Sequence, residues 1–287
     1  MRSPSEGTGR RGWALMYETF FEMTNTPFVK NIPVADLYIP SFIEEAQGRL
    51  IYGVDNNLFI VVTGDPGCGK STLIRALKSA LSGEDYIMLY LADSKLTPRW
   101  FYSGLLNQLG LQPRFYRGDA KRQLQRELEI IRGVQHKKVI CVLDEAHLLD
   151  KETLEEFRFM LNYKFDSESP MGLILVGQTE LWDQKLRYQS YAAIRQRIDM
   201  NIVLRHLDRA ETGRYIDSHL AYAGGKKDIF TDRAVDEIFK STNGIPRMIN
   251  RVCEKNLMYA SQQQKRLIDE HMVQYVTEHE MLKGGGV

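Results

Sequence analysis

Cysteine is scarce in this chain: Cys68, Cys141 and Cys253 are the three in 287 residues, too few and too far apart for a disulfide framework or a zinc knuckle. A reducing, cytoplasmic setting is the expectation that follows. Net charge is nearly absent as well, with 38 Lys and Arg against 37 Asp and Glu for a formal +1. That balance excludes a polybasic coat for nucleic acid over the whole surface, though not a local basic patch. Long hydrophobic runs are missing too. The most apolar stretch, Leu58 to Val62, is far shorter than the roughly 20 residues of a membrane-spanning helix, so direct membrane insertion is not expected. Residues 1–15 lack the apolar core of a signal peptide and read as a disordered tail, and 283–287 as a frayed end. Met16 opens a better-patterned segment and is a candidate start beside Met1, a flexible natural extension being the other reading. What is present, 43% hydrophobic and 26% charged residues, is globular composition sufficient for one large domain or two modest ones.

Apolar residues recur at helical spacing over Ser41–Val54, with Glu44 and Glu45 near the start where they suit the helix dipole. Leu58–Thr63 follows as a continuous apolar run, the pattern of a strand covered on both faces. Similar runs at Tyr86–Leu91, Val139–Leu143 and Gly172–Val176 alternate with helical stretches at Ser71–Leu81, Thr97–Leu109 and Lys121–Ile131. Such alternation predicts an α/β domain with a mostly parallel, helix-flanked sheet. Beyond about Leu207 only helices are expected: Ala210–Ala223, Thr231–Thr242, Pro246–Gln262 and Asp269–His279. The expected division is 16–206 for the α/β domain and 207–282 for a small helical lid.

Gly64-Asp65-Pro66-Gly67-Cys68-Gly69-Lys70-Ser71 fits G-x-x-x-x-G-K-[ST] at every fixed position, between a strand and a helix. Glycines let successive backbone N–H groups line one concavity, and a helix N-terminus adds positive potential there. The residues Gly64 to Thr72 are therefore candidates to cradle the phosphates of ATP, with Lys70 reaching the β/γ-phosphates and Ser71 ligating Mg²⁺. Cys68 reads as a small space-filling residue, a redox-sensitive thiol being the alternative. Val139–Leu143 ends in Asp144 and Glu145, at the strand edge where open α/β sheets bind ligands. Asp144 is expected to hold the Mg²⁺ water shell and Glu145 to polarise the attacking water as general base. His147 is either a proton relay or a packed histidine of the next helix.

These motifs, a further strand and a helical C-terminal part resemble an AAA+ ATPase over about Met16 to Glu280. In that family a polar residue after the next strand senses the γ-phosphate, which the resemblance transfers to Gln178, with Thr179 as fallback. It also implies an arginine finger on Ala193–Ile198, at Arg195 or Arg197, reaching a neighbouring subunit's nucleotide; surface ion pairs are the plainer reading of both. Gly244-Ile245-Pro246-Arg247 is similar to the family's second sensor, with Arg247 able to touch the γ-phosphate from the lid. Phe20, Phe21, Pro27 and Phe28 could wall an adenine or simply pack in a core.

A segment with no counterpart among these motifs holds Lys95, Arg99, Trp100, Arg114, Phe115, Tyr116, Arg117, Lys121, Arg122 and Arg126. Over 112–126 it has five basic residues and one acid. Interleaved guanidinium groups and π-faces suit a nucleic-acid-contacting surface; an exposed basic helix face with buried aromatics is the alternative. The helix within it looks like the insertion of the initiator and helicase-loader branch, whose members commonly assemble helically on DNA. The opening MYETFFEMTNTPF, the DEAH-like strand end, the Gln196-Arg197-Ile198 element and the lid GIPRMINRVC resemble ExeA-type ATPases. Longer secretion members of that type continue into a membrane span and an envelope-binding domain, absent before Val287. Stand-alone members resemble helpers encoded beside DDE-type transposases, analogous to TnsC and MuB. The resemblance thus implies an ATP-dependent homo-oligomer, ring or helical filament, on double-stranded DNA with a DDE-type transposase as partner; an envelope ATPase with a separate membrane partner is the alternative.

Overall fold

A computed structural model describes residues 17–92, 96–161, 169–225 and 227–280. The expected tails, Met16 and Lys95 lie outside them. The chain divides into two compact units, one of residues 41–205 and one joining the segment before Ser41 to everything from His206 onward.

In the first unit, α1 (Ser41–Asp55) leads into β1 (Phe59–Gly64), α2 (Lys70–Ala80), β2 (Tyr86–Leu91), α3 (Pro98–Gln108), α4 (Arg117–Gly133) and β3 (Lys138–Leu143). Then come α5 (Lys151–Leu161), β4 (Gly172–Gly177), a π-helical turn at Leu181–Leu186, the short α6 (Ala192–Arg195) and β5 (Met200–Leu204). Five strands among the described residues form one parallel sheet in the order β2-β3-β4-β1-β5. The central β1 and β4 are buried at every residue, because parallel sheets carry helices on both faces. Edge strands are wetter. In β5, Val203 is exposed and Met200 and Asn201 are half-buried, which is why this strand, unlike the other four, leaves no apolar run in the sequence. It is fixed instead by pairing, Asp199 accepting from the Phe59 amide at 2.7 Å and its own amide donating to Phe59 O at 2.8 Å.

Helix boundaries follow the local chemistry. Thr97 caps α3 ahead of Pro98 at the first turn, where a missing N–H costs nothing. A core of Phe101, Tyr102, Leu105, Leu124, Leu128, Val139, Leu143, Leu154 and Phe157 joins α3, α4 and α5 to the sheet.

The second unit contains α7 (Arg209–Tyr222), α8 (Asp232–Thr242), α9 (Pro246–Gln262) and α10 (Glu270–His279). Asp208 and Glu211 form a capping box at the start of α7. Gly244 turns the chain at φ +69, and a Cβ there would sit 1.9 Å from Leu207 O. Residues 17–40 pack with these helices. Thr24 N donates to Ala223 O at 2.7 Å, Phe28 stacks on His219 with centroids 5.1 Å apart, and Arg266 reaches Glu22 at 2.7 Å. Phe21, Pro27 and Phe28 are buried, so core packing accounts for them. Among the described residues no helix is long and apolar enough to cross a membrane.

Candidate nucleotide-binding site

The loop at 64–71 leaves the carboxyl end of β1 and closes on the first turn of α2. Gly67 and Gly69 hold φ of 90° and 103°, a region open to glycine at no steric cost. Gly64 is required for another reason: a Cβ on it would lie 2.6 Å from Cys68 Sγ and 3.0 Å from Leu204 O. Cys68 is 2% exposed and its thiol is pushed up by burial. It is therefore the filler under the loop, not a reactive thiolate. The α2 ladder begins with Leu73 N donating to Gly69 O at 2.9 Å. Amides of the preceding turn have no intrahelical acceptor and favour an anion. Lys70 Nζ donates to Gly64 O at 2.6 Å and Asp65 O at 3.0 Å, which holds the ammonium at the loop's mouth.

Asp144 and Glu145 follow β3 directly. Glu145 sits at φ 54, ψ 32, a left-handed conformation uncommon for a side chain of this size. Its amide donates to Asp144 Oδ1 at 2.8 Å, and the turn leaves its carboxylate exposed. Behind it His147 is 8% exposed, with Nδ1 3.5 Å from both Glu145 Oε2 and the Gln178 amide nitrogen. The packed reading of His147 is the one that holds, and its contacts orient the acid. Lys185 fixes the same turn by donating to the carbonyls of His147 and, at 2.7 Å, Leu149; burial lowers the Lys185 pKa, opposed by Asp150 and Glu180.

Gln178 follows β4, and Thr179 Oγ1 lies 3.5 Å from Asp65 Oδ1 of the loop. Sequence reasoning thus placed five elements that β1, β3 and β4 bring to one sheet edge: the loop, Asp144, Glu145, Gln178 and Thr179. Magnesium fits this donor set. Ser71 and Asp144 are hard oxygen donors beside a phosphate cradle, and Mg²⁺ is commonly held by one or two protein groups plus substrate phosphates. No cluster of three or more His, Cys, Asp or Glu able to hold a metal by itself occurs among the described residues. One contact was not anticipated. Tyr90 of β2 donates its hydroxyl to Asp144 Oδ2 at 2.5 Å, and only the alternation of Tyr86, Met88 and Tyr90 on one strand face could have drawn attention to it.

Arg195 Nη1 donates to the carbonyls of Leu186, Arg187 and Tyr188 at 2.9, 2.6 and 3.2 Å. These acceptors end the π-helical turn, so this guanidinium is committed within its own chain. Arg247 is the second residue of α9, behind Pro246 at the first turn.

The basic segment is less free than its composition implies. Arg117 reaches Glu152 at 2.9 Å and Glu156 at 3.6 Å, Lys121 reaches Glu156 at 2.8 Å, and Arg122 reaches Asp119 at 2.5 Å. Arg99 lies 4.5 Å from the Phe115 ring centroid and 5.9 Å from that of Trp100. Trp100, Phe115 and Tyr116 are 60%, 69% and 71% exposed, while Phe101 and Tyr102 of the same segment are buried, so the reading of buried aromatics holds for two of the five rings. Beside them Arg114, Arg122 and Arg126, with Asp119 and Glu127, line an open depression of about 500 Å³.

Residues 54–184 match a family model described as an AAA domain. The chain is 31% identical over 252 residues to General secretion pathway protein A of Aeromonas hydrophila, covering 85% of this chain and 45% of that protein. It is thus similar to less than half the length of this relative. Among solved structures, the Aeropyrum pernix ORC2 protein in ADPNP–ADP complexes superposes with TM-score 0.67 at 16% identity, over 91% of this chain and 72% of that one. The Aeropyrum pernix ORC1 protein in complex with DNA superposes with TM-score 0.64 at 14% identity, over 88% and 68%. At these identities the solved structures bear on the fold alone, a five-stranded parallel sheet flanked by helices like that of the P-loop ATPases they contain.

Proposed function

We propose that this chain is a Mg²⁺-dependent ATPase switch that assembles as a homo-oligomer on double-stranded DNA and regulates or recruits a DDE-type transposase. The carrying observation is the meeting, at one sheet edge, of a phosphate-cradling loop with Lys70 and Ser71 and of a strand end presenting Asp144 and Glu145. Mg²⁺, when bound, would neutralise phosphate charge. The loop amides and Lys70 bind and orient the triphosphate. Glu145, free at the surface and steered by His147, accepts the proton of the attacking water at its carboxylate. Ser71 and Asp144 hold the ion, and Gln178, Thr179 and Arg247 sense the γ-phosphate. Arg195 is held by carbonyls of its own chain, and the finger that reaches a neighbouring subunit is proposed on this segment, at Arg195 or Arg197.

For DNA, the exposed Arg99–Trp100–Phe115–Tyr116 group, with Arg114 and Arg126 beside it, supports contact through guanidinium and π-faces. Likeness in fold to a protein solved in complex with DNA agrees with this reading. Arg117 and Lys121 are removed from the contact set, since both already reach the buried carboxylate of Glu156 and Arg117 also pairs with the exposed Glu152. Lys95 and Arg122 stay in the proposal as flanking charges.

Purified protein should hydrolyse ATP, and Glu145→Gln should bind ATP, fail to turn it over and stay longer on DNA. Unchanged hydrolysis in that variant removes Glu145 from the mechanism. A wild-type chain that ignores duplex DNA at low salt with a non-hydrolysable ATP analogue sinks the transposition reading. The similarity to a general secretion pathway protein supports a second reading, an envelope ATPase acting with a separate membrane partner. Capture of a membrane protein instead of a transposase from the native cell favours it.

A further inference from the structure

The Tyr90 contact with Asp144 goes beyond this reading and rests on it. Asp144 has both carboxylate oxygens engaged, Oδ1 by the Glu145 amide at 2.8 Å and Oδ2 by the Tyr90 hydroxyl at 2.5 Å. Two donors from opposite sides fix the plane of the carboxylate while leaving each oxygen a lone pair. Burial, then the hydrogen bond and charge of Asp144, raise the Tyr90 phenol far above its ordinary value, so it remains a donor. Through Asp144 the same contact buttresses the left-handed turn at Glu145.

Tyr90 is itself clamped. It lies on β2, an edge strand whose outward backbone groups have no strand to pair with. Gln108, the last residue of α3, supplies both partners: its Oε1 accepts from Tyr90 N at 2.9 Å and its Nε2 donates to Tyr90 O at 2.9 Å. One carboxamide thereby imitates a neighbouring strand. Gly104 allows α3 to come this close, since a Cβ there would lie 2.8 Å from Leu91 Cδ2. The other end of α3 carries Arg99 and the exposed Trp100. A continuous hydrogen-bonded chain, Gln108–Tyr90–Asp144, therefore links the helix whose far end shows the exposed cation–π group to the proposed Mg²⁺ site.

We propose that Tyr90 is a positioning residue that orients Asp144 for Mg²⁺, and that Gln108, by holding Tyr90, ties the seat of Asp144 to helix Pro98–Gln108. Hydrogen-bonding partners of metal-binding side chains typically contribute about 10- to 100-fold in metal affinity or activity, and half-exposed Tyr90 belongs at the low end.

The test measures nucleotide affinity of the full chain by titration calorimetry with ADP, in chelator and across Mg²⁺ concentrations. Tyr90→Phe should leave affinity in chelator unchanged and raise the Mg²⁺ concentration for half effect by about tenfold; kcat should fall with little change in the KM for ATP at saturating Mg²⁺. Gln108→Ala should shift the same curve by a smaller factor, about threefold, and add nothing in the Tyr90→Phe background. In an Asp144→Asn background Tyr90→Phe should be silent, which a merely structural role would not produce. A Tyr90→Phe curve superimposing on a Mg²⁺-dependent wild type overturns the role of Tyr90. Equal effects of Gln108→Ala with and without the Tyr90 hydroxyl overturn the link to the helix. A wild type with no Mg²⁺-dependent nucleotide binding sinks the switch reading and this proposal with it.

Discussion

Lys121 Nζ lies 2.8 Å from Oε1 of Glu156, 35 residues further along the chain. The same oxygen accepts from the Tyr102 hydroxyl at 2.5 Å, and Arg117 stands 3.6 Å from the other. Glu156 is 5% exposed, so three helices of the sheet-bearing unit converge on one carboxylate. Breaking a buried pair by removing one partner strands the others. Glu156→Ala should cost about 3 kcal/mol in denaturant unfolding, and Lys121→Ala about 2 kcal/mol. Neither substitution should change DNA affinity per folded molecule, whereas Arg99→Ala with Arg114→Ala should lower it and flatten its salt dependence. A Lys121→Ala protein of full stability and weakened DNA binding reverses this assignment.

Two pH windows should separate the two units. Burial opposes ionisation of Glu156, but hydrogen bonds from Lys121 and Tyr102 outweigh it and hold its carboxyl below the usual value of 4.5. Its contribution is thus present above pH 4.5 and is lost as pH falls through the lowered value. In the helical unit, burial takes His219 from 6.5 to about 4, and both ring nitrogens lack a partner among the described residues. Unfolded chains bind the proton first, so the helical unit should lose on the order of 3 kcal/mol between pH 6.5 and 4. His219→Phe should flatten that slope in thermal melts monitored at both pH values. A slope unchanged by the substitution excludes His219 as its origin.

Arg195 and Arg197 should fail in different ways. Arg195→Ala uncaps three carbonyls and should lower stability by about 1 to 3 kcal/mol, a loss that no second subunit repairs. Arg197→Ala should keep ATP binding while hydrolysis drops by about 10³-fold. Mixing it with Glu145→Gln subunits should restore turnover, because each subunit then supplies what its neighbour lacks. A mixture as inactive as its parts eliminates the finger in trans.

Gly64→Ala should damage the loop without touching a charge. Its Cβ would meet Cys68 Sγ and Leu204 O, overpacking that costs about 1 to 3 kcal/mol and weakens nucleotide binding. Removing the sulfur with Cys68→Ala should recover part of the affinity. No recovery would show that the Leu204 carbonyl, not the thiol, sets the limit.

Four of the five strands, the phosphate loop, and the acids at 144 and 145 were legible because each is a local pattern. A strand buried on both faces must be apolar throughout, and a backbone that wraps phosphate must have glycine at fixed intervals. β5 was not legible, since an edge strand needs few apolar residues and takes its place from β1. Residues 17–40 join the helices of the second unit because Phe28 meets His219 and Thr24 meets Ala223, both far away in sequence. The basic run at 112–126 shows the same limit. Its local excess of positive charge is real, yet Glu152 and Glu156 arrive from another helix to take up Arg117 and Lys121, while Phe115 and Tyr116 ahead of them stay outside. Tyr90, an ordinary strand residue by sequence, touches Asp144 only because β2 and β3 lie side by side in register. Residue order alone determined the near-neutral charge, the phosphate loop and the α/β pattern. Which cations are already neutralised, which arginine is tied to its own chain and what holds Asp144 were decided by packing, because hydrogen bonds and ion pairs act over a few ångströms in space whatever the separation along the chain.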